Sequence, residues 1–244
     1  MRALACAITL CSFFVASSQV KFYFQAGMTV STFDTDLMDD YGFIDYRQGL
    51  IDGGVNASSE ARNSIRPGAM VGLEMDVYVN ENTFLKTGVK YTNGGDSFFF
   101  KTSDIQYGNI IRSDARFKLR PRLDYISIPL NYGKQIKDFT IYGGVTTAIN
   151  VASALRVNSF DVSNPNNVQE DWDREDDLVI GNKTVFFLNA GLNYFIPAFD
   201  IDQVVSLNIG YSLNSVYDDP NVVGDFNNAG MWLIEIGYGI TLSL

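Results

Sequence analysis

The chain has no histidine and only two cysteines, Cys6 and Cys11, both near its start. Without histidine there is no Ser-His or Cys-His nucleophile pair and no histidine-held metal. Basic residues are also scarce: 18 Lys and Arg stand against 28 Asp and Glu, a net charge of −10. A balance of that sign repels phosphate backbones and argues against a nucleic-acid partner. Beyond the first residues there is no run of about twenty apolar residues, the length a helix needs to cross a bilayer. Insertion into a membrane would therefore have to use strands, whose backbone groups are satisfied by neighbouring strands.

The first eighteen residues, Met1 to Ser18, join Arg2 to an apolar run from Ala3 to Val15 and end in Ala16-Ser17-Ser18. A basic tip, a short hydrophobic core and small residues before the cut describe a secretory signal peptide, with Gln19 opening the mature chain. The run is too short for a transmembrane anchor. The bulky Leu10 before Cys11 disfavours a lipoprotein. Both cysteines fall in the removed segment, so the exported chain is expected to carry neither thiol nor disulfide.

What the chain does have is alternation. Trp232, Ile234, Ile236, Tyr238, Ile240, Leu242 and Leu244 alternate with Leu233, Glu235, Gly237, Gly239, Thr241 and Ser243. Successive side chains of a strand point to opposite faces, so this stretch has one greasy wall and one small, mainly polar wall. Seven earlier segments repeat the pattern: about Lys21 to Phe33, Ile65 to Tyr78, Leu85 to Thr92, Leu123 to Gly133, Phe139 to Val151, Thr184 to Phe195 and Val204 to Val216. Pro129 is a local misfit, because proline within a strand usually marks an edge or a bulge.

The connections between these segments alternate long and short. Eight such strands predict an all-β fold, an eight-stranded antiparallel up-and-down transmembrane β-barrel formed by residues 19–244. Long loops are expected at about 34–64, 95–122, 153–183 and 215–228, with short turns near Glu81, Asp138 and Pro197. The expected setting is the outer membrane of a Gram-negative bacterium, with short turns and both termini periplasmic and long loops outside. The rival is a secreted lipocalin-like or sandwich protein, whose apolar face would point inward. The loop alternation, the Gly-rich second face and the lack of a disulfide favour the membrane form.

Tyr125-Ile126-Ser127-Ile128-Pro129-Leu130-Asn131-Tyr132 resembles the Tyr-x-x-Ile-Pro-Leu strand of the Bacteroidetes outer-membrane β-barrel domain family, the PorT-like or "porin family" proteins. As in that family, a Tyr-x-Gly strand follows, here Tyr142-Gly143-Gly144, and Gly72-Leu73-Glu74 and Leu85-Lys86-Thr87-Gly88 sit at its Gly-containing hairpin. The resemblance accounts for Pro129 and implies the same barrel. It brings no shared catalytic residues. Some members of the family belong to the type IX secretion and gliding machinery. Tyr238 to Leu244 also resembles the C-terminal signal read by the barrel assembly machinery, departing at Leu244 where an aromatic is commoner.

Three groups of residues are candidates for function. Glu74, Asp76, Lys86, Lys90 and Glu235 lie on polar faces and are expected inside the barrel. A turn near Glu81 sets Asp76 opposite Lys86 and Gly72 opposite Lys90, with Glu74 diagonal to both lysines. Buried charges must be paired, so a structural ion-pair network with Gln25, Asn131 and Asn208 nearby is favoured over a proton or ion relay. Arg116, Lys118, Arg120 and Arg122 share parity with the predicted lipid face. Just above the hydrocarbon they would meet phosphates of lipopolysaccharide or another partner; balancing the acidic third loop is the equal alternative. Glu170, Asp171, Asp173, Glu175, Asp176 and Asp177 form a weak calcium candidate, lacking the spacing of a recognised loop and expected to be a solvated acidic segment.

Together these features predict a non-enzymatic outer-membrane barrel without cofactor, with a structural or protein-interaction role exerted through its external loops. An accessory subunit of an envelope or secretion complex is one form of that role. Expected partners are outer-membrane lipid, lipopolysaccharide and other outer-membrane or periplasmic proteins. A narrow channel and a secreted ligand-binding barrel are the alternatives.

Overall fold

The computed structural model describes residues 19–34, 56–107, 110–112, 115–161, 171–175, 182–197, 202–216 and 230–243, with side chains over 19–34, 64–97, 120–154, 182–197, 202–216 and 230–241. Residues 1–18, on which the expected signal peptide falls, Leu244 and most of the last long connection lie outside the described residues. The described residues form strands and no helix: β1 (Val20–Phe33), β2 (Asn56–Ser64), β3 (Arg66–Asn80), β4 (Thr83–Gly95), β5 (Ser97–Tyr107), β6 (Ile110–Arg112), β7 (Ala115–Ile136), β8 (Phe139–Asp161), β9 (Asp171–Glu175), β10 (Thr184–Ile196), β11 (Asp202–Ser212) and β12 (Met231–Ser243).

Eight of these strands close a ring. The order is β1, β3, β4, β7, β8, β10, β11 and β12, each pair antiparallel, and β12 pairs with β1 from Lys21 opposite Ser243 to Phe33 opposite Met231. The fold is a closed eight-stranded antiparallel barrel, as the alternation predicts.

The period-2 pattern decides which wall faces out. Phe24, Met28, Val71, Leu73, Val89, Ile128, Leu130, Leu188, Ile236 and Tyr238 are exposed, while Gln25, Thr29, Glu74, Asp76, Lys86, Lys90, Asn189 and Glu235 are buried. Such an inside-out distribution forfeits the hydrophobic effect in water and suits a lipid surround. Aromatic pairs flank the apolar belt at both ends. Phe139 and Tyr194 have ring centroids 4.7 Å apart near the short turns, and Tyr211 and Trp232 are 4.8 Å apart near the long loops. Pairs of this kind are suited to membrane interfaces.

Pro129 finds its place through a lapse in the ladder. Pairing between β4 and β7 stops after Thr87 opposite Leu130 and resumes at Lys90 opposite Ser127, so the proline has no ladder donor to supply. Gly88 stands across from it, and a Cβ there would strike the backbone of Leu73 and Glu74.

The long connections differ from expectation. The segments expected as loops at 34–64, 95–122 and 153–183 contain β2, β5, β6, the first residues of β7, the last of β8, and β9. β5 continues the line of β4 along β7, with Phe98 opposite Leu119, and β2 continues β3 along β5, with Ser64 opposite Ser97. β7 and β8 stay paired out to Ala115 opposite Asp161, and β9 adds to the far edge. Half of the barrel wall thus extends beyond the ring. From Ile149, its last partner on β10 being Thr184, β8 runs on to Asp161; at about 3.3 Å per residue that is roughly 40 Å of strand. The sequence of β2, NASSEARNS, is polar at nearly every position. Away from lipid no face has to be apolar, so the alternation that marks the ring strands is not required there.

Candidate functional site

Register brings the five interior charges together. β3 carries Glu74 and Asp76, β4 carries Lys86 and Lys90, and β12 carries Glu235. The short turn between β3 and β4 sets Asp76 opposite Lys86, Gly72 opposite Lys90 and Glu74 opposite Gly88. Gly72 leaves room for the lysine stem, since a Cβ there would lie 2.5 Å from Lys90 Cγ. Ring closure supplies the rest. Lys90 Nζ is 2.6 Å from Glu235 Oε2 and 3.8 Å from Glu74 Oε1, and Lys86 Nζ is 3.0 Å from Asp76 Oδ1 and 3.7 Å from Glu74 Oε2. Glu235 also accepts from Asn208 Nδ2 at 2.8 Å and Thr92 Oγ1 at 3.2 Å.

Two tyrosines complete the group. Tyr23 donates to Asp76, and Lys86 Nζ lies 4.2 Å from the Tyr23 ring centroid and 5.1 Å from that of Tyr142. Parity in the sequence puts both on polar faces, but an aromatic ring there gives no sign that it flanks a lysine. Gln25 and Asn131, the latter opposite Lys86, bond to neutral side chains. Gln25 accepts from Ser206 at 2.7 Å, and Asn131 accepts from Asn189, whose Oδ1 is bonded by Thr146.

Apolar groups close the interior above and below these polar layers. Toward the short turns lie Tyr23, Phe195 and Val204 in one cluster and Tyr78, Phe84 and Tyr142 in another. Toward the long loops, Leu123, Tyr125, Val185, Phe187 and Met231 are buried, with Tyr125 and Phe187 edge to face at 6.2 Å. A barrel of eight strands has an interior that side chains can fill. The arrangement chemically suits a cross-linked core: each cation touches carboxylates, and each carboxylate is held by a lysine.

At the long-loop end, Asp96 joins β1 to the junction of β4 and β5. Its carboxylate accepts from the Phe33 amide at 2.6 Å and the Ser97 amide at 2.5 Å. Burial pushes this carboxyl up to about 6, although both amide bonds act the other way.

The basic stripe is divided by what is described. β7 is continuous from Ala115, and Pro121 does not interrupt it, so Arg116, Lys118, Arg120 and Arg122 keep one parity. The side chains of Arg116 and Lys118 lie outside the described residues. Arg122 is bonded to Asp124, with Nη2 to Oδ2 at 2.6 Å and Nε to Oδ1 at 3.0 Å. Of the acidic run, Asp171, Asp173 and Glu175 belong to β9, paired with residues 155–159 of β8, so this part of the expected loop is a strand. Glu170, Asp176 and Asp177 and all the side chains of the run lie outside the described residues. Among the described residues no three metal-binding side chains gather.

A family model for the outer membrane protein beta-barrel domain matches residues 15–218, and the chain belongs to that family of outer-membrane β-barrel proteins. No curated protein matches it. Similar solved structures include Ail, the attachment invasion locus protein of Yersinia pestis, in complex with the heparin analogue sucrose octasulfate. It is 11% identical, with 91% of this chain and 99% of that chain covered and a TM-score of 0.36. OprG from Pseudomonas aeruginosa is 12% identical over 91% and 95% of the two chains, with a TM-score of 0.32. The outer membrane protease OmpT from Escherichia coli is 11% identical over 93% and 97%, with a TM-score of 0.32.

Proposed function

We propose that this outer-membrane barrel is a sealed, non-enzymatic mount that holds its protruding half-wall against another envelope protein. The observation that carries this is the extension of β2, β5, β7, β8 and β9 past the ring. Strands stiffened by continuous pairing with a barrel present a surface at low entropic cost, which is where binding residues on rigid scaffolds reside. The filled interior supports a mount over a narrow channel. Engagement of Glu74, Asp76 and Glu235 by Lys86 and Lys90 supports a structural rather than a catalytic role for that network.

In this proposal the long-loop end faces outward and both termini are periplasmic. The likeness of residues 125–132 to the PorT-like strand supports service as an accessory subunit of an envelope or secretion assembly. The test is a photo-crosslinking amino acid placed in living cells at Ser103 on β5, at Leu130 on the belt and at Lys137 in a short turn. Discrete protein adducts are expected from Ser103 alone. Adducts only from Lys137, or none from Ser103, would overturn the proposal.

A further inference from the structure

The barrel wall parts at one place near the long-loop end. The last pair between β3 and β4 is Met70 with Thr92. Beyond it β3 follows β1 as far as Arg66, and β4 follows β7 as far as Gly95. Pairing resumes only at Ser64 with Ser97. Gly95 makes the swerve at φ +140°, where a Cβ would strike the Pro121 carbonyl.

The parting is closed from within. Thr29 Oγ1 donates to the Asn93 carbonyl at 2.5 Å, Ser31 Oγ donates to the Gly95 carbonyl at 2.7 Å, and the Gly95 amide donates back to Ser31 Oγ at 2.8 Å. Side chains of β1 thus satisfy the backbone of β4 that β3 has abandoned. What remains is a half-open recess of about 800 Å³.

Arg66, Arg120 and Arg122 line this recess with Tyr91, Asn93 and Ser97, and no lining residue is acidic. Asp124 offsets one charge by holding Arg122. Arg66 is fixed by donating to the Pro121 carbonyl. Among the described residues, Arg120 has neither an ion pair nor a hydrogen bond. Arg120 therefore brings to the recess a positive charge that no carboxylate among the described residues pairs.

Its depth in the membrane follows from register. Tyr91 pairs with Val71 and with Ile126, both exposed members of the apolar belt. Arg122 lies further along β7 by about 13 Å of strand, or roughly 10 Å of height at the usual tilt. A rise of that size from within the belt reaches the headgroup layer, which adds about 5–7 Å to each side of the hydrocarbon. Ile65, Pro67 and Ala69 supply an apolar side to the same recess, continuous with the belt below.

We propose that the recess binds the sugar-phosphate headgroup of an outer-leaflet lipid A, with the guanidiniums on phosphate and the acyl chains along the belt. A bare phosphate would leave most of the space empty, whereas pockets of about 300–1,000 Å³ take ligands of many atoms. Guanidinium groups match phosphate oxygens in pairs. The assignment rests on the outward orientation of the long loops proposed above.

The experiment uses full-length protein in nanodiscs containing bisphosphorylated lipid A, phosphatidylglycerol, or lipid A stripped of both phosphates, and counts retained lipid by native mass spectrometry after detergent exchange. The double variant Arg120→Gln/Arg122→Gln should retain lipid A at least about tenfold less than wild type, the loss expected for charge-assisted bonds. Lys134→Gln, an exposed charge at the opposite end, should change nothing. Heat-modifiable migration verifies that each variant is folded. Equal retention by the double variant, or equal retention of phosphate-free lipid A by wild type, overturns the site. Thermal stabilisation by inorganic phosphate alone that matches lipid A overturns the lipid assignment. Labelling of a cysteine placed at Ser103 in intact cells tests orientation separately. If only the periplasmic side labels it and phosphatidylglycerol is the lipid lost, the orientation has failed and the outer-leaflet assignment falls with it.

Discussion

Replacing Lys90 by Met removes the cation on which the interior depends most. Its Nζ lies 2.6 Å from Glu235 and 3.8 Å from Glu74, and the residue is only 8% exposed. At an effective dielectric of about 20 the shorter contact alone represents about 6 kcal/mol of Coulomb attraction before desolvation is subtracted. Methionine fills similar space but leaves Glu235 buried with only Thr92 and Asn208 as donors. Breaking one partner of a buried pair in this way costs about 3–5 kcal/mol. Glu235→Gln should cost less, because Lys90 keeps Glu74. The double variant Lys90→Met/Glu235→Leu should recover at least half of the single loss, since no charge is stranded. Urea unfolding in lipid vesicles, followed by tryptophan fluorescence and heat-modifiable migration, measures all three. A Lys90→Met cost below about 1 kcal/mol, or strictly additive losses in the double variant, would refute the reasoning.

Leu130 is 66% exposed on the belt, and Leu130→Arg should cost about 2–4 kcal/mol in vesicles if that face meets the bilayer midplane. A soluble barrel would tolerate the same change within about 0.5 kcal/mol, so vesicle unfolding separates the two. Asp96 gives a pH dependence. Its folded value of about 6 lies above the ordinary 3.8, so the folded state holds this proton more firmly than the unfolded chain. The resulting stability is complete below pH about 4 and is lost as pH rises through about 6, with an upper bound of about 3 kcal/mol. Unfolding midpoints across that window should fall for wild type and stay flatter for Asp96→Asn; identical slopes would contradict the assignment.

Much of the ring was legible because lipid imposes a rule. Outward residues of the belt are mostly apolar, so Phe24, Leu73, Ile128 and Tyr238 announced one face and Glu74, Lys90 and Glu235 the other. The Asp76 to Lys86 register was legible for a local reason, since three turn residues and a period of two leave few choices. The pairing of Lys90 with Glu235 was not, because 145 positions separate them and only ring closure makes them neighbours. The protruding strands were hidden because segments such as β2, polar at nearly every position, carry no alternation to mark them. The parted seam was hidden for another reason. Arg66 and Arg120 sit on different strands, and only the loss of pairing between β3 and β4 opens a space that both can line.

In the proposed mount the barrel is sealed, so that whatever it does is done at its surface. Single-channel recording of purified full-length protein in planar bilayers tests this most directly. The account predicts a flat baseline, with no steady conductance above that of protein-free bilayers at any holding potential. Stable, ohmic current steps that scale with the amount of folded protein would contradict it.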